Sequence, residues 1–74
     1  MNINIYYKDN KYVFPITQDT TTINILHLLE KKLKTPVLQL RLFHNKDGRK
    51  IFLKDRDRLS SYKEKTIYLK KFGI

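Results

Sequence analysis

The chain has 74 residues, and sixteen Lys and Arg against seven Asp and Glu give it a net charge of +9. A chain this short builds one domain with a thin core, which a substrate pocket of roughly 300–1,000 Å³ would hollow out, so enzyme functions are disfavoured. The absence of cysteine excludes disulfides, thiolate metal sites and a thiol nucleophile, and no apolar run approaches the roughly 20 residues that span a bilayer.

The first 40 residues predict a strand, a turn, a second strand and a helix. Residues 2–7 alternate in the manner of a strand, Asp9-Asn10 indicates a turn, and residues 12–16 are rich in strand formers. Pro15 has no N–H group, which predicts that the second strand lies at an edge of its sheet. An edge strand is also a surface on which another chain can dock.

Apolar residues recur every three or four positions from Thr22 to Leu33, and this spacing predicts an amphipathic helix. Thr21 or Thr22 supplies its N-cap, and Pro36 ends it because the preceding residue is biased away from helical geometry. The predicted apolar stripe consists of Ile25, Leu26, Leu29 and Leu33.

The second half returns to strand patterns. We expect a strand with one leucine face, a turn ending in Asp47-Gly48, a short strand, a solvated loop of alternating charge, a short turn and a final strand. The leucine face of the first strand consists of Leu38, Leu40 and Leu42, and the turn covers residues 44–48. The short strand covers residues 51–53, and the charged loop covers residues 54–58. The short turn covers residues 59–62, and the final strand covers residues 66–72.

Several short motifs occur in an order that resembles the ubiquitin-like β-grasp over nearly the whole chain. They are Thr22-Ile23 at the helix start, Arg41-Leu42-Phe43, Leu59-Ser60-Ser61-Tyr62 and Thr66-Ile67-Tyr68-Leu69. The resemblance implies a single α+β domain over residues 1–74, with one helix packed on a mixed four- to five-stranded sheet.

Within that superfamily, residues 40–71 look closest to the N-terminal ubiquitin-like lobe of talin-type FERM proteins. Ras-binding lobes, such as that of Raf kinase, are similar in the same half. Phe72-Gly73-Ile74 takes the place of the two terminal glycines that conjugated modifiers need, so we expect no conjugation. The alternative to a FERM-like or Ras-binding lobe is a free-standing ubiquitin-like protein that binds other proteins non-covalently.

We identify no catalytic residue, no metal site and no cofactor site in the sequence, and we expect that the protein is not an enzyme. His27 and His44 are the only histidines; the first is predicted on the polar face of the helix and the second in a turn. Asp55 and Asp57 alternate with arginines, which would neutralise them rather than leave an acid–base pair or a metal site.

The positive charge favours an acidic partner, although lysines that merely solvate a small domain account for it equally well. The resemblance to Ras-binding lobes implies a Ras- or Rap-type GTPase bound along the second strand. The basic residues for that contact are Lys8 and Lys11 near the first hairpin and Lys31, Lys32 and Lys34 on the helix.

A second hypothesis is an anionic membrane, which would place this cytoplasmic domain at the inner membrane surface. Its basic residues are Lys46, Arg49, Lys50, Lys54, Arg56 and Arg58, each contributing about 1 kcal/mol near anionic lipid. Nucleic acid is disfavoured as a partner because no RNA-binding signature is present and the aromatic residues are assigned to the core or sheet. Those residues are Tyr12, Phe14, Phe43 and Phe52.

Overall fold

The computed structural model describes residues 1–73, so the part of the C-terminal prediction that concerns Ile74 lies outside the described residues. The described chain forms five strands, one α-helix and two short 3₁₀ helices. These elements are β1 (Asn2–Tyr7), β2 (Asn10–Pro15), α1 (Thr22–Leu33), a 3₁₀ helix (Val37–Gln39), β3 (Leu40–Lys46), β4 (Arg49–Phe52), a second 3₁₀ helix (Leu59–Tyr62) and β5 (Ile67–Lys71).

The strands form one mixed sheet in the order β2-β1-β5-β3-β4. The central pair β1–β5 is parallel, with Tyr6 opposite Tyr68, and the other three pairs are antiparallel. β2 lies at one edge of the sheet, which confirms the prediction made from Pro15. The predicted α+β architecture of one helix on a mixed four- to five-stranded sheet is therefore confirmed.

Helix α1 begins and ends at residues whose backbone geometry explains the boundary. Thr21 is the extended N-cap, and both its N–H and its hydroxyl donate to Oδ1 of Asn24 at 2.9 Å. At the other end Lys34 adopts the left-handed conformation, with φ of 54°, and its N–H donates to the Glu30 carbonyl. Such a cap closes a helix end by satisfying one of its free carbonyls.

One face of the sheet packs against α1 and forms the hydrophobic core. Ile25, Leu26 and Leu29 are buried as the helical spacing predicts, whereas Leu33 is only half-buried at the helix end. The sheet contributes alternate residues of β1, β3 and β5, in keeping with the two-residue period of a strand. These sheet residues are Ile3, Ile5, Leu40, Leu42, Ile67 and Leu69.

The first hairpin turn lies one residue before the predicted position, and the second lies at the predicted Asp47-Gly48 but is shorter than predicted. The first turn consists of Lys8-Asp9, with Lys8 left-handed at φ of 53°, and Asn10 already pairs with Tyr7 in β2. The second is the two-residue turn Asp47-Gly48, whose positive φ angles of 53° and 80° fit the twist of an antiparallel pair. The prediction of a turn over residues 44–48 was therefore too long.

Two residues assigned from alternation occupy different environments from those predicted. Leu38 belongs to the first 3₁₀ helix and is 92% exposed, because Gln39 N–H bonds back to the Pro36 carbonyl and delays the strand. His44 was predicted in a turn but lies within β3, where it is buried and its ring is 5.5 Å from that of Tyr62.

Residues 54–58 form a loop whose side chains are mostly exposed, as predicted, but the prediction missed that its backbone is a structural part of the helix N-terminus. The carbonyls of Asp57 and Asp55 accept hydrogen bonds from the N–H groups of Thr22 and Ile23 at 2.9 and 3.0 Å. Thr21 also forms a β-bridge with Arg58. The first N–H groups of any helix lack hydrogen-bond acceptors within the helix, and two carbonyls of this loop serve as those acceptors.

Candidate functional site

The basic residues predicted for a protein partner lie around the edge strand β2. Lys8 is in the β1–β2 turn and Lys11 is in β2. Lys32 on α1 has its Nζ 5.7 Å from the centroid of the Tyr12 ring in β2, so the helix lysine and the strand lie side by side. Lys31 and Lys34 are exposed beside it at the C-terminal end of the helix. We call these five lysines and β2 the basic edge.

The geometry of β2 leaves its free side open along the strand. An edge strand presents every second N–H and C=O to solvent, where another chain can pair with them. Pro15 is the last residue of β2 and pairs with Asn2, so its missing N–H falls at the end of the strand. Val13, near the middle of β2, is 51% exposed.

The six basic residues predicted for a membrane belong to two parts of the molecule, the β3–β4 hairpin and the loop over residues 54–58. Lys46 and Arg49 pair with each other beside the β3–β4 turn. Lys50 lies on the sheet face opposite α1, over the ring of Phe43. The other three, Lys54, Arg56 and Arg58, belong to the loop at the start of the helix. In residues 1–73, no helix is both long and apolar enough to cross a membrane.

The sheet face opposite the helix, here called the outer face, carries a feature that the sequence reading missed. Five aromatic rings form a continuous series of contacts across it, with successive centroid distances of 6.2, 5.4, 5.7 and 6.4 Å. We call this series the aromatic row. In order of contact it consists of Tyr6, Tyr68, Phe43, Phe52 and Phe72.

Alternation along each strand already placed Tyr6, Phe43 and Tyr68 on one face of the sheet. The row was missed because its continuity depends on pairing register, which brings Tyr6 opposite Tyr68 and Phe43 opposite both Tyr68 and Phe52. Phe43 is nearly buried beneath its neighbours, whereas Phe52 and Phe72 remain 36% and 44% exposed. The row is therefore outside the hydrophobic core and partly open to solvent.

Three cations accompany the aromatic row, each over one ring. Nζ of Lys50 is 5.2 Å from the Phe43 centroid, and Cζ of Arg41 is 5.7 Å from that of Phe52. Nζ of Lys70 is 5.4 Å from the Phe72 centroid. A cation within about 6 Å of a ring face is attracted by the negative centre of the ring. The outer face therefore combines rings and positive charges at short range.

A shallow depression of about 390 Å³ on this face is lined by residues of β1, β3, β4 and β5. Four lysines and three rings of the aromatic row contribute to its walls. All seven acidic residues lie within the described part of the chain, in turns, loops or the helix, and none of them is in a strand. The depression is lined in particular by Tyr6, Phe43, Tyr68, Lys8, Lys50, Lys70 and Lys71.

The remaining side chains that could take part in acid–base chemistry make contacts within the fold. His27 lies on the exposed helix surface, with Nδ1 3.7 Å from the Glu30 carboxylate, and that carboxylate also accepts the Val37 N–H at 2.8 Å. The Tyr62 hydroxyl donates to Oδ2 of Asp57 at 3.2 Å. Desolvation, this hydrogen bond and the carboxylate charge all raise the pKa of Tyr62.

No protein-family model and no curated protein sequence matches the chain. Among solved structures, it is similar to the N-terminal ubiquitin-like domain in the 4931431F19Rik protein, with a TM-score of 0.76 and 16% identity over 100% of this chain and 76% of that one. It is also similar to the C-terminal ubiquitin-like domain of mouse tubulin-specific chaperone e, with a TM-score of 0.78 and 21% identity over 100% and 88% of the two chains. These likenesses show that the chain has the ubiquitin-like β-grasp fold.

Proposed function

We propose that this domain is a non-catalytic protein-interaction module that docks an acidic protein surface on the basic edge. The observation that carries the proposal is the contact between Lys32 and Tyr12, which brings the helix lysines beside an edge strand that pairs on one side only. Resemblance to Ras-binding and talin-type FERM lobes favours a Ras- or Rap-type GTPase as the partner. Binding of this kind is non-covalent, and no step requires a conjugated C-terminus.

Two kinds of contact would act together at the basic edge. The free side of β2 can add a strand from the partner through main-chain hydrogen bonds. Lys11 and Lys32, on either side of that strand, would attract carboxylates of the partner, which mainly raises the association rate and selects among partners. Two acidic residues lie close to the basic edge. Asp9 is in the adjoining turn, and the carboxylate of Glu30 accepts a hydrogen bond from the Val37 N–H.

Anionic membrane, the second predicted partner, has less support. Electrostatic attachment to a lipid surface gains from several cations that approach the headgroups together. The six residues predicted for it are instead divided between the β3–β4 hairpin and the loop over residues 54–58, and Lys50 of the hairpin lies over the Phe43 ring on the outer face. The basic edge has a contiguous strand and helix, and it is therefore the surface on which the proposal rests.

The proposal is tested by titrating the labelled chain with a Ras- or Rap-type GTPase loaded with a GTP analogue or with GDP. We expect binding to the GTP-analogue form that is at least about tenfold tighter than binding to the GDP form. Lys11→Glu and Lys32→Glu should each weaken it by about tenfold or more, since rim charges act on association and like charges repel.

The matched control is Lys54→Glu, which changes the net charge by the same amount at an exposed position in the loop over residues 54–58. It should leave the affinity within about twofold, because screening limits the reach of a distant surface charge to roughly 10 Å. Equal affinity for the two nucleotide states, no binding, or an equal loss in the Lys54 variant would contradict the proposal.

A further inference from the structure

We propose that the outer face binds single-stranded nucleic acid, with bases on the aromatic row and phosphates on its cations. This function differs from the proposed protein docking in using the aromatic row, although the two surfaces meet at Lys8 and at Lys11, which pairs with Tyr6. The sequence reading disfavoured nucleic acid by assigning Phe43 and Phe52 to the core or sheet. The structure places both on the outer face, and Phe52 is 36% exposed.

The first argument is the repeating arrangement of rings and charges. Phe43, Phe52 and Phe72 each have a cation 5.2 to 5.7 Å away, and the rings follow one another across the sheet. A single strand of nucleic acid offers a base and a phosphate in every nucleotide. Proteins that bind such strands without sequence preference combine stacking rings with a positive groove in the same way.

The second argument is the character of the surface around the row. Asn2 and Asn4 lie on the same face of β1 as Tyr6, and Asn45 pairs with Lys50 on the same face as Phe43. Their amides can donate to and accept from base edges. Within residues 1–73 no acidic side chain is in any strand, so nothing on the sheet itself repels a phosphate chain.

The third argument concerns the cations that now lie over the rings. Lys50 is exposed and Lys70 is half-buried, and a cation–ring attraction at an exposed site is weak. A lysine ammonium is on a flexible four-carbon stem, so it can turn to a phosphate when a base takes its place over the ring. Phe52 and Phe72, the most exposed rings of the row, are the ones we assign to stacking.

The observations favour a single strand over a duplex and over an acidic peptide. A duplex stacks its bases inside itself and would offer the rings only its backbone. An acidic peptide has charges but lacks a flat ring at every unit, and one anchoring pocket would serve it better than a row that extends over four strands. The aromatic row therefore fits a polymer whose planar groups and negative charges repeat together.

Fluorescence anisotropy with the full chain and a labelled single-stranded oligothymidylate of about 12 nucleotides tests this proposal. We expect binding whose logarithmic affinity falls with the logarithm of salt concentration at a slope of about −2, as three phosphate contacts on a single strand predict. A duplex of the same length and a polyglutamate peptide are the competing probes, and each should bind at least about tenfold more weakly.

Paired variants separate stacking from general charge. Phe52→Leu with Phe72→Leu should weaken binding by about tenfold or more, whereas Leu38→Ala, at the 92% exposed residue of the first 3₁₀ helix, should have no effect. Arg41→Gln with Lys50→Gln should reduce the salt slope by about 1.4, because two of the three phosphate contacts are lost. Lys31→Gln with Lys34→Gln removes the same charge from the helix and should leave the slope unchanged.

Four results would overturn the proposal: no binding, equal binding of duplex, equal binding of polyglutamate, or equal losses in the test and control variants. Equal binding of polyglutamate would identify the outer face as a site for acidic peptides instead. Each variant is compared only after its circular dichroism spectrum and melting temperature match those of the parent chain. Lys32→Glu, which tests the protein-docking proposal, lies on α1, so failure of one proposal leaves the other standing.

Discussion

Tyr62 shows how one side chain joins separate parts of this small domain. It ends the second 3₁₀ helix, its hydroxyl donates to Asp57, and its ring lies 5.5 Å from that of buried His44. The sequence predicted that Tyr62 folds inward, and the structure half-buries it. The phenol thus links β3 to the loop that holds the start of α1.

The raised pKa of Tyr62 predicts a change in stability at alkaline pH. The phenol holds its proton more tightly in the folded chain, so the protonated hydroxyl contributes to the free energy of unfolding. This contribution is complete below the usual pKa of about 10 and is lost as the pH rises through the folded-state pKa. Tyr62→Phe should reduce the free energy of unfolding by about 1 kcal/mol at neutral pH. The deficit should shrink as the pH rises past about 10.

Urea unfolding of the parent chain and the variant at a series of alkaline pH values measures this deficit. Tyr6→Phe is the control, because Tyr6 is on the outer face and makes no contact with Asp57. A deficit in Tyr62→Phe that stays constant or grows above pH of about 10 would contradict this account of the hydroxyl.

At the scale of elements, strand and helix identities followed from local patterns, whereas their boundaries depended on contacts distant in sequence. The period of residues 22–33 predicted α1, and alternation predicted the inward residues of β1 and β5. The role of the loop over residues 54–58 could not be predicted, because its carbonyls are used only after the chain brings them to Thr22 and Ile23. The aromatic row likewise depends on register across four strands.

The loop gives a prediction for Asp57 with a near neighbour as control. The Asp57 carboxylate accepts the Lys54 N–H at 2.9 Å as well as the Tyr62 hydroxyl. Asp57→Ala should lower the free energy of unfolding by about 2 kcal/mol, as expected for hydrogen bonds to a charged group. Asp55→Ala removes an exposed carboxylate but keeps the backbone carbonyl bonded to Ile23, and should cost less than about 0.5 kcal/mol.

Thermal and urea denaturation of the two variants measure the difference between them. Equal destabilisation by Asp57→Ala and Asp55→Ala would show that the Asp57 side chain does not hold the loop. A loss confined to Asp57→Ala would confirm that this carboxylate organises the loop at the helix N-terminus.

At the scale of the whole molecule, one small core between α1 and the sheet determines stability. Leu29 is fully buried in that core, while its neighbour Leu28 is 46% exposed. The free energy of unfolding of a protein domain is only about 5–15 kcal/mol, and truncation of a buried leucine lowers it by about 2–5 kcal/mol. The loss of one such side chain is therefore a large fraction of the stability of this chain.

Leu29→Ala should lower the free energy of unfolding by about 3 kcal/mol, because it removes buried contacts and leaves a cavity. Leu28→Ala makes the same chemical change one residue earlier and should cost less than about 1 kcal/mol. Urea titration followed by circular dichroism gives both values, and similar costs for the two variants would contradict the packing of α1 described above.

Fold class could be predicted from sequence because the helical period and the strand alternation were both present and occurred in a distinctive order. The partner surfaces were less accessible to sequence reasoning. Lys8, Lys11 and the helix lysines could be proposed in advance, but the position of Lys32 beside Tyr12 is a property of the packed molecule. The same is true of Arg41 over Phe52.

The most direct test of protein docking on the basic edge is a backbone amide NMR titration of the labelled chain with a GTP-analogue-loaded Ras- or Rap-type GTPase. We predict that the largest chemical-shift changes occur in β2 and in the C-terminal half of α1, with little change in β3, β4 and β5. Changes confined to the outer-face residues of β3, β4 and β5, or no change at saturating GTPase, would contradict the proposal.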